Sequence, residues 1–356
     1  MVNGESVKFD IRGMLPEELR ELLHEAGEKP YRAAQVFGWI QDKAVQSFSE
    51  MKNAGDKVSD FLAKRTQLQP LKLVRERISS DGTRKYLWAL QDKSLIETVL
   101  MRHGGDKTRN RNTLCLSTQV GCGMGCSFCA TGTLGFIRNL EAGEIVAQVL
   151  DVTRQRAAEE EGFKVHNLVY MGMGEPLLNL SAVLKSIKIL NNSAGQNIGI
   201  RRITVSTCGL APQIEQLAEE ELDIVLAVSL HAPTNDLRDR MMPVNRRYPL
   251  ERLLAACRRY IEKTGRRVTF EYALIKGLND SPAQAKELAA LLAGLKANVN
   301  LIPINTHANN TFKRPHPAGV QGFLRLLQNQ GLHAVIREEK GGDIEAACGQ
   351  LAGKER

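Results

Sequence analysis

Residues 113–135 read TLCLSTQVGCGMGCSFCATGTLG. A short apolar run, Thr113 to Ser117, reads as a strand, and a Gly- and Ser-rich loop follows it. The loop carries Cys122, Cys126 and Cys129 in C-x3-C-x2-C spacing. Three neighbouring thiols leave one over if two pair as a disulfide. Tetrahedral zinc takes four protein ligands, and no fourth Cys or His follows at zinc spacing. Thiolates are the usual holders of iron–sulfur clusters, and three on a four-iron cluster leave one iron open. Free Cys is also commonly a small buried hydrophobe. Three within eight positions of a Gly-rich loop favour the metal site.

Outward from this loop, strand-like and helix-like runs alternate. Strands are expected at Thr113–Ser117, Asn167–Met173, Ile203–Thr207, Ile224–Leu230, Val268–Leu274, Val299–Ile304 and His333–Arg337. Helices are expected at Ala142–Glu160, Ser181–Asn191, Pro212–Glu220, Leu250–Lys263, Ala283–Leu292 and Val320–Gln330. Such alternation makes a parallel sheet covered by helices, and periodicity does not choose between an open sheet and a full or partial barrel. In either form ligands gather at the carboxyl ends of the strands. Those ends carry Gly172-Met173-Gly174-Glu175-Pro176, Ser206-Thr207-Cys208-Gly209, Ser229-Leu230-His231 and Asn305-Thr306-His307. Each alone is ordinary turn chemistry. Small and polar groups recurring at one end of several strands suit a nucleoside-like ligand. Cys115 lies in the first strand, and Cys348 follows a Gly-rich segment that could fold back over the site. Cys208 and Cys257 read as core.

Before the core, residues 14–67 read as three helices, the first interrupted at Pro30, the second over Tyr31–Ala44 and the third over Phe48–Lys64. Their polar faces are rich in Lys and Arg, which is either a solvated surface or an RNA-docking face. Leu71–Ile78, Thr83–Leu90 and Ser94–Met101 alternate with period two, with Asp81-Gly82 as a hairpin turn and Glu97 in the third run. Arg102–Arg111 reads as an exposed basic loop.

The chain has 356 residues, 43% hydrophobic and 25% charged, the composition of an ordinary globular protein of about two domains. No apolar run reaches the roughly 18 residues of a membrane span, and the N-terminus lacks a secretory signal's apolar core. Seven cysteines in no disulfide spacing suit a reducing cytoplasm. A net charge of +8 permits a polyanionic partner without naming one.

The cluster loop with Gly-Met-Gly-Glu-Pro behind it resembles the radical S-adenosylmethionine superfamily. The fuller pattern is narrower: Thr113-Leu114-Cys115, Gln119-Val120-Gly121-Cys122, Cys126-Ser127-Phe128-Cys129-Ala130-Thr131-Gly132, Val228-Ser229-Leu230-His231-Ala232-Pro233, and Asp343-Ile344 with Ala346-Ala347-Cys348-Gly349-Gln350-Leu351. Over essentially the whole chain this is similar to the RlmN/Cfr family of RNA adenine methyltransferases. The resemblance implies an α/β fold: a helical RNA-binding accessory domain (1–70), a β-hairpin extension with a basic loop (71–107), a partial (β/α) barrel core (108–342) and a C-terminal segment (343–356).

It also implies a mechanism. A [4Fe-4S] cluster would sit on Cys122, Cys126 and Cys129. S-adenosylmethionine would be held by Gly174, Glu175, Ser206, Ser229, Leu230, His231 and Asn305. Cys348 would take a methyl group from one S-adenosylmethionine. A second would be cleaved to a 5′-deoxyadenosyl radical that abstracts hydrogen from that methyl, and the carbon radical would add to adenine. Cys115 would resolve the protein–RNA adduct through a transient disulfide with Cys348, and Glu97 matches a proposed proton acceptor. The implied targets are C2 of adenosine 2503 in 23S rRNA and of adenosine 37 in tRNAs. An electron donor such as flavodoxin and a cytoplasmic monomer complete the expectation. The alternatives are C8 methylation as in Cfr, a radical enzyme acting on another substrate, and a non-catalytic RNA-binding protein with a structural metal.

Overall fold

The computed structural model describes residues 8–105, 108–305 and 311–353. The accessory module is three helices, Pro16–Glu25, Pro30–Gln41 and Asp56–Arg65, closed by a short parallel pairing of Phe9–Asp10 with Thr66–Gln67. Pro16 and Pro30 each open a helix, where the missing N–H costs nothing. The third helix starts later than expected. Phe48–Glu50 is a separate 3-10 turn, and Gly55 at φ +84° breaks the run before Asp56. The module is bolted to the core through fully buried Arg12, which donates to Asp151 at 3.1 and 3.4 Å and to the Gln69 carbonyl at 3.3 Å.

Among the described residues the main sheet has ten strands. Three antiparallel ones, Lys72–Ile78, Arg84–Ala89 and Leu95–Gly105, lead into Thr108–Cys115. Six more then run parallel to Thr108–Cys115: Asn167–Tyr170, Ile203–Thr207, Val225–Ser229, Val268–Leu274, Ala297–Pro303 and His333–Ile336. The basic loop expected over Arg102–Arg111 is instead a strand ribbon, with Arg102 opposite Asn112 and His103 opposite Arg111. Backbone pairing makes such a ribbon without the apolar alternation that marks a half-buried strand. The extension is therefore continuous with the core sheet through the pairing of Leu95–Gly105 with Thr108–Cys115.

The parallel strands curl. Asn167–Tyr170 and His333–Ile336 are five spacings apart in the sheet, about 24 Å if flat. Yet Arg337, just past the last strand, donates from Nη1 to Met171 Sδ, just past the earlier one, at 3.5 Å. Only a strongly curved sheet brings them together, and its edge strands do not pair with each other. This is a partial barrel. Helices Ala142–Ala157, Leu180–Asn191, Ala211–Glu219, Leu250–Thr264, Pro282–Leu291 and Pro317–Asn329 cover its outside. A further helix, Asn235–Met241, was not expected from its largely polar sequence and is held by tertiary contacts.

Candidate active site

The cysteine loop opens as a two-stranded hairpin, Gln119–Cys122 against Gly135–Asn139, which sequence reasoning took for irregular loop. Gly121 sits at φ +73°, where a Cβ would lie 2.0 Å from the Gly135 carbonyl oxygen, so only glycine allows this crossing. Beyond Cys122 the chain turns tightly. The Cys129 N–H donates to the Cys126 carbonyl, and Gly132 packs on the Cys126 backbone where a Cβ would sit 3.0 Å from its oxygen. Ser127 N–H donates to Met241 O at 3.0 Å, fastening the loop to the unexpected helix.

All three thiols face one cleft at the carboxyl ends of the barrel strands, with about 930 Å³ of empty space. Burial pushes Cys122 up to about 11 and raises Cys126 and Cys129 as well. Bound iron would reverse this, since thiolate is the ligating form. Among the described residues no three His, Cys, Asp or Glu side chains converge on a single ion position. Cys122, Cys126 and Cys129 nonetheless line one cleft, and thiolates are the donors that hold iron–sulfur clusters. This donor set fits a cluster.

Glu175, Gly174, Ser206, Ser229, His231 and Asn305 line the same cleft. Glu175 is buried, accepting from Cys208 N at 2.8 Å and Leu177 N at 3.1 Å, and burial raises its pKa. A cationic ligand group beside it would offset that cost. Gly174, at φ +101°, gives its close approach to Gln119, whose Cβ a side chain would meet at 2.6 Å. His231 Nδ1 accepts from Ala273 N at 2.9 Å, leaving Nε2 to carry the proton. Burial, with Arg238 adding, pushes the ring down to about 3, so it stays neutral. Asn305 donates to the Cys348 carbonyl at 3.3 Å and keeps a buried Oδ1 without a partner. Leu230 does not reach the cleft. Its side chain is fully buried, and its backbone bonds Glu271 and Arg238. Thr306 and His307 lie outside the described residues.

A second cavity of about 1000 Å³ adjoins the first. Met171, Ile302, Asn305, Arg337 and Cys348 line both, so they form the wall between them. Cys115, last residue of its strand, opens onto the second cavity only. Burial, with Cys348 adding, pushes its thiol up to about 12, against the pull of Arg337. Cys348 is exposed, and both cysteines are free thiols. Cys257 is core, and Cys208 is buried in a core cluster as expected while also lining the first cavity. Glu97 opens onto neither cavity and bonds Lys85 and the C-terminal backbone.

Sequence reasoning missed Arg337, Glu271 and Gln148. Arg337 lies in the shared wall. Glu271 turns a buried, unpartnered Oε2 toward the first cavity, with Oε1 accepting from Asn300 at 2.9 Å. Gln148 pins Ser117 at the root of the cysteine loop, donating to its carbonyl and accepting from its N–H, each at 2.9 Å. No local motif marks any of them.

A partial barrel with this loop at its strand ends defines a radical S-adenosylmethionine enzyme, and residues 116–289 match the family model of the Radical SAM superfamily. Residues 9–68 match a second model, the ribosomal RNA large subunit methyltransferase N-terminal domain. A Moorella thermoacetica protein named "Probable dual-specificity RNA methyltransferase RlmN" is 50% identical, with 97% of this chain and 98% of the relative covered. A Thermotoga neapolitana protein of the same name is also 50% identical, over 94% and 95%. The crystal structure of a radical SAM methyltransferase from Sphaerobacter thermophilus superimposes with a TM-score of 0.91 at 48% identity, over 97% of this chain and all of that one. The chain belongs to the RlmN family and is an RNA methyltransferase. Superfamily membership implies S-adenosylmethionine and a four-iron cluster. Among the described residues no helix is long and apolar enough to cross a membrane.

Proposed function

We propose that the protein methylates C2 of adenosine 2503 in 23S rRNA and of adenosine 37 in tRNAs, with Cys348 as methyl carrier and Cys115 as resolving thiol. The observation that carries this reading is the position of Cys348 in the wall between two cavities. C2 of adenine lies between two ring nitrogens, is electron-poor and has no lone pair, so it does not attack a sulfonium methyl. A thiolate does. Cys348 thus accepts from the cleft of the cysteine loop and presents the carried carbon to the cavity that holds the base. Cys115, on that second cavity, is the thiol that can close onto Cys348 when the adduct is released.

Cys122, Cys126 and Cys129 would hold the cluster, and Glu175 the amino group of S-adenosylmethionine, with Ser206, Ser229, His231 and Asn305 around the rest. Bound together, these groups supply the methyl and a carbon-centred radical. The protein's share is to place Cys348 between them and the RNA. A flavodoxin-type donor would supply the electron, and the chain would act as a monomer. The similarity of residues 9–68 to an rRNA methyltransferase N-terminal domain supports an RNA-docking role for the helical module.

The test is an anaerobic reaction of reconstituted protein, a 23S rRNA fragment and S-adenosylmethionine with a deuterated methyl, read as nucleosides by mass spectrometry. The expected product co-elutes with 2-methyladenosine and keeps two of the three methyl deuteriums. Co-elution with 8-methyladenosine would assign the Cfr-type reaction, and three retained deuteriums would mean direct displacement. Cys115→Ala should trap a covalent protein–RNA adduct, and Cys348→Ala should give neither adduct nor product.

A further inference from the structure

Cys348 rides on the segment Glu345–Gly353, which crosses the gap in the barrel. The cysteine loop holds this segment through Ala130 N–H to Gly349 O at 2.7 Å and Thr131 Oγ1 to Leu351 O at 2.6 Å. The thiol thereby stands in the wall between the two cavities, and one cation, Arg337, stands in that wall with it. Arg337 directly follows the strand His333–Ile336, and its N–H donates to Leu301 O at 2.9 Å, which fixes its backbone in the barrel. Its Nη1 reaches Met171 Sδ at 3.5 Å, while the Met171 backbone hydrogen-bonds the Cys115 sulfur. Cys115, ending the first parallel strand, and Arg337, just past the last, thus meet at Met171 across the gap.

Burial, with Cys348 adding, keeps the Cys115 thiol protonated at neutral pH, and Arg337 and the Met171 N–H pull against it. Thiolate is the reacting form, so a thiol held protonated is a poor nucleophile. We propose that Arg337 stabilises the thiolate of Cys115 for its attack on Cys348 and so sets the rate at which methylated RNA is released. This rests on reading Cys348 as methyl carrier and Cys115 as resolving thiol. In that step Cys115 gives its proton to water and its thiolate attacks the Cys348 sulfur. The sulfur–sulfur bond forms as the sulfur–carbon bond breaks. The electron pair leaves on the methylene carbon, where the electron-poor ring stabilises it until a proton completes the methyl group. Negative charge passes both sulfurs, and Arg337 faces both: its own charge is favoured first by Cys348, against burial, then by Glu271 and Cys115.

The neighbouring charges leave this role to Arg337. On the second cavity Arg314 pairs with Glu339, and Lys340 with Glu338 at 2.9 Å. Burial, with Lys340 and Arg111 adding, lowers His103 and favours its neutral ring. On the extension, Glu97 meets Lys85 at 3.1 Å and opens with it, Arg75 and Arg77 onto a separate small pocket.

The experiment uses full-length reconstituted protein, kept anaerobic, with Arg337→Met, Arg337→Lys and Cys115→Ala. The first readout is alkylation of Cys115 by iodoacetamide against pH, measured on its peptide, and the second is the covalent protein–RNA adduct. Arg337→Met should alkylate at least about tenfold more slowly at neutral pH and recover as pH rises. It should also accumulate adduct at neutral pH and discharge it when the pH is raised, whereas the adduct of Cys115→Ala persists. Arg337→Lys keeps the charge and should restore both. Wild-type alkylation in Arg337→Met would overturn the proposal, as would an adduct that raised pH does not discharge. Neither adduct nor product would place Arg337 in methyl loading and overturn it as well. Cys257, in the core, should stay unreactive throughout. If Arg337→Met exposes it, the fold is lost, and Arg337→Lys decides by the same readouts: a persistent adduct despite the retained charge would refute the role. If Cys115→Ala traps no adduct, the two-cysteine reading fails, while the alkylation profile still decides whether Arg337 sustains the Cys115 thiolate.

Discussion

Replacing Gln148 by Met removes one amide and keeps the length of the side chain, so it isolates the hydrogen bonds that fix the root of the cysteine loop. Gln148 Oε1 accepts from Thr98 Oγ1 at 2.8 Å and Ser117 N at 2.9 Å, while Nε2 donates to Ser117 O at 2.9 Å. Thr98, Ser117 and Gln148 are all fully buried, so water does not replace the lost partner. Stranding one buried polar group costs about 1–3 kcal/mol, and three are affected, which gives at least about 3 kcal/mol. For a chain of 356 residues that lowers the melting temperature by roughly 4 °C or more.

The damage should reach the cluster site as well. Ser117 Oγ donates to the Glu97 carbonyl at 2.6 Å and accepts from Met173 N at 2.9 Å, so it ties the strand before the cysteines to the segment leading into Glu175. Gln148→Met should therefore bind less iron per chain on reconstitution than the wild type at a temperature where both are folded. Thermal melting and iron-to-protein ratio are the assays. A variant melting within about 1 °C of wild type, with full iron content, would show that other groups satisfy Ser117 and Thr98 and that the pinning argument fails.

Two further outcomes are expected. Arg238 is fully buried and donates to the carbonyls of Leu230 at 3.1 Å, Cys208 at 2.6 Å and Ser229 at 3.1 Å, holding two adjacent strand ends in place. Arg238→Met should weaken S-adenosylhomocysteine binding at least about tenfold, measured by equilibrium dialysis, and unchanged affinity would refute the positioning role. Burial pushes Asp10 up to about 6 from 3.8, against the pull of Arg12. Its folded form thus holds the proton more tightly than the unfolded chain. The resulting stability is present below pH about 4 and lost as pH rises through about 6. Asp10→Asn should shift stability relative to wild type by up to about 3 kcal/mol between pH 4 and pH 7, in favour of the variant at pH 7; a pH-independent difference in denaturation midpoint would count against it.

The parallel strands were legible because they carry apolar side chains toward a covered core, whereas their closure into a partial barrel was implied only by the family resemblance. Ile203–Thr207 and Val268–Leu274 coincide with expectation to the residue, and the other parallel strands differ at their ends. Segments stabilised by backbone pairing or by distant partners were not. The ribbon around His103 shows no apolar alternation, and the hairpin of the cysteine loop depends on Gly121 meeting Gly135. The cysteines were readable because ligation needs several thiols close in sequence. Arg337, Glu271, Gln148 and Lys85 act singly, through partners far along the chain: Lys85 meets the Glu345 carbonyl across 260 residues. Nothing local encodes such a meeting. Glu97 too meets distant partners, an ion pair with Lys85 and the amides of Ala352 and Gly353, that its motif did not foretell.

The incompleteness of the barrel bears on the proposed function. The second cavity is lined on one side by Val99, Met101, His103 and Cys115, from the extension and the first parallel strand. On the other side it is lined by Ile302 and Pro303, from the strand Ala297–Pro303, and by Arg337, just past the last strand. It therefore lies in the gap that a closed barrel would fill with side chains. A base attached to a large RNA cannot thread a closed barrel, but it can enter through such a gap. The same gap leaves the first parallel strand with an edge to be paired, and the extension sheet pairs it through Leu95–Gly105. Because Lys85 and Glu97 stand on that extension, the element that completes the sheet also ties down the segment crossing the gap. The extension, the cavity and the Cys348 segment are thus three consequences of one open edge, and shortening the extension should disturb the cysteine before it disturbs the barrel.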